Sequence, residues 1–234
     1  MRQALERPCE GRIYGRSDSS VSRRMRDFLF FPLAAALAST FIFVAVNPLA
    51  SRLPTGPVSG GGRNALDVTV EGDELNRFVL GQLTGVTIDM MHPDGGKAFL
   101  RIDREASAKY EDPRLGPHLI LAEDLEYALE SRPIEVVIEA RSVGDFPATQ
   151  FEANYFAKTE SESGWQSFTL TREFQPYTLT FFTPKRGHEE GYDYFGIRPV
   201  SPDKHRVMDV RSVEIRSVGK KSTPPVKQQN GIVP

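Results

Sequence analysis

The alternation of apolar and polar positions divides the chain into stretches of different character. From Phe28 to Ser51 it runs without a charge (FLFFPLAAALASTFIFVAVNPLAS). A helix rises about 1.5 Å per residue, so about 20 apolar residues cross a hydrocarbon core of about 30 Å. Residues 28–50 therefore predict one transmembrane helix, with Pro32 near its start and Pro48 and Pro54 closing its far end. Beyond residue 64 the period drops to two. Ile134, Val136, Ile138 and Ala140 share one face, with Glu135, Glu139 and Arg141 opposite. Phe151, Ala153 and Tyr155 alternate with Glu152 and Asn154 in the same way. The segments Trp165–Thr171 and Tyr177–Thr183 are rich in β-branched and aromatic residues. Further strands are expected around Asp67–Val70, Val86–Met91, Ala98–Asp103, His118–Leu121 and Val207–Ile215. In the last of these the apolar phase steps from Met208/Val210 to Val213/Ile215, which predicts a β-bulge near Arg211-Ser212. A single helical face interrupts the strands: Leu121, Leu125, Ala128 and Leu129, ended by Pro133. One short helix among many short strands predicts an all-β, two-layer sandwich.

The flanking segments and their charge give this layout a direction. Residues 1–27 are basic, with Arg23, Arg24 and Arg26 set against the apolar run, whereas only Arg52 and Arg63 follow it. The positive-inside rule places residues 1–27 in the cytoplasm and the C-terminal bulk across the membrane. A cleaved signal peptide is the competing reading, but the apolar run is long for one, and Pro48 stands in its cleavage region. Residues 51–63 (SRLPTGPVSGGGR) read as a Gly/Pro linker, 64–217 as the domain, and 218–234 as a disordered Lys/Pro/Gln tail. Cys9 is the only cysteine, and no Asn-x-Ser/Thr sequon occurs. Together these point to a bacterial inner-membrane protein, single-pass, with its C-terminal domain in the periplasm. Residues 64–217 carry 17 basic and 27 acidic side chains. That excess of negative charge argues against nucleic acid as a partner. The lipid bilayer is met through residues 28–50.

From His118 to Arg216 the order of features is distinctive. A strand runs into a short acidic helix (HLILAEDLEYALESRP), followed by IEVVIEAR and FEANYF. An acidic turn enters SESGWQSFTL, then YTLTFFTP, DYFGIRP and the closing MDVRSVEI. This order resembles the galactose-binding-like jelly roll of many carbohydrate-binding modules, in which a W-x-x-F/Y-x-h-T strand and a closing h-D-x-h-x-h strand recur. The resemblance covers about 100 residues of the chain. It implies a jelly-roll β-sandwich with a sugar site on one face or among the edge loops, and it leaves room for a structural calcium.

Sugars are held by aromatic rings against their C–H faces and by polar groups on their hydroxyls, so both classes of side chain are candidates. Phe151, Tyr155, Trp165, Phe168, Tyr177 and Phe181 lie in alternating strands and are expected in the core. Tyr192 and Tyr194 follow the polar loop KRGHEEG and are the expected aromatic ligand contacts. Arg141, Asn154 and Gln166, on the polar phase of their strands, are the expected hydrogen-bonding partners. The four histidines have no zinc spacing. Asp67, Glu71, Asp73 and Asp209 could supply calcium oxygens if the terminal strands are neighbours. There is no G-x-S-x-G and no triad set, so no enzyme is expected. The expected protein is a membrane-anchored, non-catalytic module that recognises carbohydrate. The rival is a structural or interaction subunit that docks on an envelope protein partner. A reporter fused after Pro234 and active only outside the cytoplasm should be active; activity of a cytoplasm-only reporter there would reverse the orientation.

Overall fold

A computed structural model describes residues 30–42, 53–62, 66–157, 161–186 and 191–219. The chain divides into two compact units, 1–52 and 53–234. In the first, residues 30–42 form helix α1, with Phe30, Phe31, Leu33, Leu37, Phe41 and Ile42 exposed. Among the described residues no helix is long and apolar enough to cross a membrane. The rest of the expected span, 28–29 and 43–50, lies outside the described residues, as do 1–27 and 220–234.

The second unit is a sandwich of two antiparallel sheets. The first sheet contains β1 (Asp67–Glu71), β3 (Val86–Met91), β4 (Phe99–Arg104), β6 (Pro133–Ser142), β10 (Gln175–Phe182) and β12 (Arg206–Ser217). Its order is β10-β6-β12-β4-β3, and β1 also pairs with β12. The second sheet contains β2 (Val79–Leu80), β5 (Pro117–Ile120), β7 (Gln150–Ala157), β8 (Ser161–Glu162), β9 (Gln166–Thr169) and β11 (Tyr194–Pro199). Its order is β2-β5-β11-β7-β8, with β9 also on β7. From β4 onward the chain repeatedly crosses between the sheets, which is why neighbours in space are distant in sequence.

The period-two pattern explains the core. Ile134, Val136, Ile138 and Ala140 of β6 point inward with Met208, Val210, Val213 and Ile215 of β12, all at 0% exposure. Phe151, Ala153, Tyr155 and Phe195 meet them from the other sheet. Fully burying such a side chain contributes roughly 1.5–3 kcal/mol. Aromatic contacts tie the sheets at one end: Tyr177 of the first sheet meets Phe151 edge-on at 5.1 Å, and Phe151 stacks on its neighbour Phe168 in the second sheet at 5.0 Å. The bulge in β12 is present. Val210 pairs with Ala140 and Ser212 with Glu139, so Arg211 is the extra residue.

Two expectations are corrected. The segment 53–62 is strapped to the domain rather than free. Val58 is buried and bridges Leu121, with hydrogen bonds to Ile120 and Ala122. Asp124 of helix α2 (Glu123–Leu129) accepts from Ser59 Oγ at 2.7 Å and from the Gly62 amide at 3.1 Å. Burial works against its charged form, but these bonds and the Leu125 amide outweigh that and hold its carboxyl below the usual range. The polar Gly/Pro composition of this segment conceals its one anchoring side chain. The second correction is β11, which was not expected as a strand yet is central to its sheet, between β5 and β7.

β11 is buried on both faces because the chain between β4 and β5 folds over the outer side of this sheet. Pro113 of that segment and Trp165 cover Gly196, and Tyr110 meets Trp165 edge-on at 6.0 Å. Trp165 Nε1 donates to the Glu111 carbonyl at 2.8 Å, and the Arg198 guanidinium lies 3.8 Å from the Trp165 ring centre. The cover requires absent side chains. A Cβ at Gly196 would stand 2.5 Å from Pro113 Cβ, and one at Gly116 would stand 2.1 Å from Tyr110 Oη. Burial pushes the Tyr110 hydroxyl up to about 12. Gly116→Ala should therefore cost about 1–3 kcal/mol by overpacking, read from urea unfolding. In a Tyr110→Ala background the added cost should largely vanish; an unchanged cost would show that the clash is not its cause.

Candidate functional site

The outer face of the first sheet carries an open cleft of about 490 Å3, lined by Phe99, Glu139, Arg141, Phe174, Arg211 and the Glu71/Lys97 edge. Strand register places its floor. Asp89, Arg101, Asp209 and Arg141 stand opposite one another on β3, β4, β12 and β6, so charge alternates across the sheet. Asp209 is 0% exposed, and its carboxylate takes both neighbouring arginines. Arg101 forks onto it, Nε to Oδ1 at 2.8 Å and Nη2 to Oδ2 at 3.2 Å. Arg141 gives Nε and Nη2 to Oδ2 at 3.0 and 2.9 Å. Charge-assisted bonds of this kind fix the guanidinium planes. The Asp209 hydrogen bond raises the Arg101 guanidinium further above its usual range.

Two aromatic rings stand over this floor. Phe99 and Phe174 meet edge-on at 6.1 Å. The Arg141 guanidinium lies 4.4 Å from the Phe174 ring centre and 5.3 Å from that of Phe99. Arg211 lies 4.6 Å from Phe174. Glu139 holds Arg211 through Nε at 2.7 Å and through Nη2. The hydrogen bond from Arg211 keeps the Glu139 carboxyl below its usual range. Arg141 and Arg211 each use Nε and Nη2 in these pairs, and Nη1 of each makes no hydrogen bond among the described residues. The cleft thus offers ring faces, unengaged N–H donors and carboxylate acceptors within one opening.

The cleft lies at a junction in the sheet. β12 is flanked by β4 up to Val210 and by β1 from Ser212. The first residue of β4, Phe99, and the last of β1, Glu71, face each other across that change of partner, opposite bulged Arg211. A smaller cavity of about 210 Å3 adjoins, lined by Arg141, Ser142, Val143, Gly144, Pro147 and Arg172. Arg141 is common to both.

Of the five residues expected from the sequence, only Arg141 lines the cleft. Asn154 is 0% exposed, and its amide is engaged by Glu162 (2.7 Å) and Ser163 (3.2 Å), so it is not offered to a ligand. Gln166 is registered opposite inward-facing Ala153, hence on the inner side of its sheet edge rather than the solvent side. Tyr194 lies on the outer face of the second sheet, edge-on to His118 at 5.6 Å and 5.9 Å from the Arg114 guanidinium. Burial lowers the His118 ring below its usual value. Tyr192 is 46% exposed in the approach to β11. Beneath that approach, the Tyr155 hydroxyl donates to Asp193 at 2.8 Å, and burial raises the phenol well above its usual value. The carboxylates considered for calcium do not gather: Asp209 holds two arginines, Glu71 pairs with Lys97, and Asp73 approaches His92 at 3.4 Å. Among the described residues no group of three or more His, Cys, Asp or Glu is arranged for a metal ion.

The missed residues had a signal. Phe99 occupies the polar phase of its strand, in step with Arg101 and Asp103. Phe174 is an aromatic in the polar turn TREFQP. An aromatic among charges in an alternating strand lies on the outer face, where Phe99 is 9% exposed because Phe174, Arg101 and Arg141 pack against its ring.

No family model matches the chain, and no curated protein matches it. Solved carbohydrate-binding modules are similar to it in structure. The CBM1 module of BiXyn10A has 12% identity and a TM-score of 0.42, covering 64% of this chain and 97% of that chain. A CBM4 module has 11% identity and a TM-score of 0.42, covering 67% and 98%. The CBM22-2 xylan-binding domain of Xyn10C from Paenibacillus barcinonensis has 10% identity and a TM-score of 0.44, covering 64% and 98%. Likeness of this degree carries no residue and no ligand across to this chain.

The Arg211–Glu139 pair gives a pH test. Because the folded carboxyl titrates below its unfolded value of 4.5, its contribution to stability is complete above that value and is lost as pH falls through the folded one. Glu139→Gln should lower the urea midpoint at pH 6, and the gap from wild type should close as pH falls below about 4. A gap that persists at pH 3 would place the stabilisation elsewhere.

Proposed function

We propose that the domain is a non-catalytic module that binds carbohydrate in the cleft between Phe99 and Phe174. One observation carries this reading: two aromatic rings share an opening with Arg141 and Arg211, each presenting an unengaged Nη1. A sugar ring laid on Phe174 or Phe99 buries its C–H face, while those donors and the Glu139 and Glu71 carboxylates meet its hydroxyls. The non-catalytic character is supported by the state of the carboxylates. Glycoside cleavage needs a carboxylic acid kept protonated, whereas Arg211 drives Glu139 the opposite way. The jelly-roll assignment of the sandwich rests on the same reading, supported by the repeated crossing of the chain between the sheets.

The proposed setting is the periplasmic side of a bacterial inner membrane, with residues 28–50 as anchor. Its support is the uncharged run, the arginines before it, and helix α1 within it.

Calorimetric titration of the full chain against a panel of envelope and exopolysaccharide fragments tests the function. Phe174→Ala should keep the melting temperature and weaken binding about ten- to a hundredfold, from a stacking contact of about 1–3 kcal/mol, comparable to a nucleic-acid base on an aromatic ring. Loss on Tyr194→Ala with Phe174→Ala silent would move the site to the other face. No binding at all, with a stoichiometric protein partner co-purifying, would replace glycan recognition by a scaffold role.

A further inference from the structure

Resting on the glycan reading, we infer that the ligand is an acidic polysaccharide, one whose sugars carry carboxylates, lying across both the cleft and the adjoining cavity. The adjoining cavity points this way. In the larger cleft the charges are balanced: Lys97 is matched by Glu71, Arg211 by Glu139, and Asp89, Arg101, Asp209 and Arg141 alternate across the sheet. The smaller cavity differs, because its walls contain Arg141 and Arg172 and no carboxylate. This is a positive spot in a domain whose sequence is otherwise acidic. Arg172 is exposed and makes no ion pair or hydrogen bond among the described residues.

The geometry also separates two tasks. Phe99 and Phe174 supply ring faces in the larger cleft, and Arg141 stands at the boundary between the two spaces with Nη1 unengaged. A carboxylate placed there meets guanidinium N–H on arginines whose planes are already held by Asp209 and Glu139, so little side-chain freedom is lost on binding. A second carboxylate further along the chain reaches Arg172. The ligand is thus recognised by its rings and by the spacing of its charges. A neutral glycan engages the rings alone.

The test uses the full chain and matched pairs of oligosaccharides: oligomers of glucuronate, galacturonate and mannuronate, each beside its carboxyl-reduced neutral counterpart. The acidic member of at least one pair should bind more tightly, and its affinity should fall as salt rises from about 0.05 to 0.5 M while that of the neutral member holds. Arg172→Gln, an exposed change, should weaken acidic oligomers roughly two- to fivefold, as expected for an exposed ion pair, and leave neutral ones unaltered. Arg211→Gln should act in the same direction. Equal affinity for acidic and neutral members would overturn the acidic preference while leaving glycan binding in place. Failure of every acidic and neutral oligomer to bind would overturn both.

Discussion

Asp209 is a carboxylate with no exposure to solvent, placed on the outer face of a sheet between Arg101 and Arg141. Its strand, β12, is the one that both β4 and β6 pair with, so this ion triplet spans three neighbouring strands at one level. Removing a charge from water is costly, and the cost is offset here by hydrogen bonds to both carboxylate oxygens. The arrangement in turn dictates where the arginines lie. Held by Asp209, Arg141 lies beside Phe174 and Phe99, and this fixes the floor on which the cleft is built. Without the carboxylate, two like charges would face each other across β12, and the rings would lose their support.

The two outer faces of the sandwich show opposite solutions to the same problem. The second sheet is roofed by the segment carrying Tyr110 and Pro113 and by Trp165, with Gly116 and Gly196 permitting the close approach. Among the described residues the first sheet has no such roof at its centre, and charged pairs and two phenylalanines occupy the equivalent space. The close approach at these glycines closes one face. On the other face the ion pairs leave the cleft open to water.

How much of this could be read from the chain follows from how each residue signals. Strands whose outward side chains are polar, such as β6 and β7, announce themselves by alternation, and the bulge in β12 shows as a slip of phase between Val210 and Val213. β11 gives no such signal, because YFGIRP is covered on both sides and contains Gly196 where an outward side chain would otherwise be. Val58 is similarly silent, being one apolar residue within a Gly/Pro-rich stretch. For the site, the polar phase of β6 pointed to Arg141, but the same logic assigned Asn154 to solvent when neighbouring Glu162 and Ser163 enclose it. Tyr192 and Tyr194 stand out by their place after a polar loop, whereas the rings of the cleft come from a strand start and a tight turn brought together only by long-range pairing. Sequence adjacency cannot disclose a meeting of Phe99 with Phe174.

The bulge places Arg211 outside the ladder. Val210 and Ser212 keep their partners on β6, and the residue between them answers to no cross-strand register. Its side chain can therefore be exchanged without moving Val210 or Val213, whose burial sustains the core. Position 211 is held by Glu139 and Phe174 rather than by the ladder, so the chemistry of the face can be changed there at the cost of those contacts alone while the scaffold below stays unchanged.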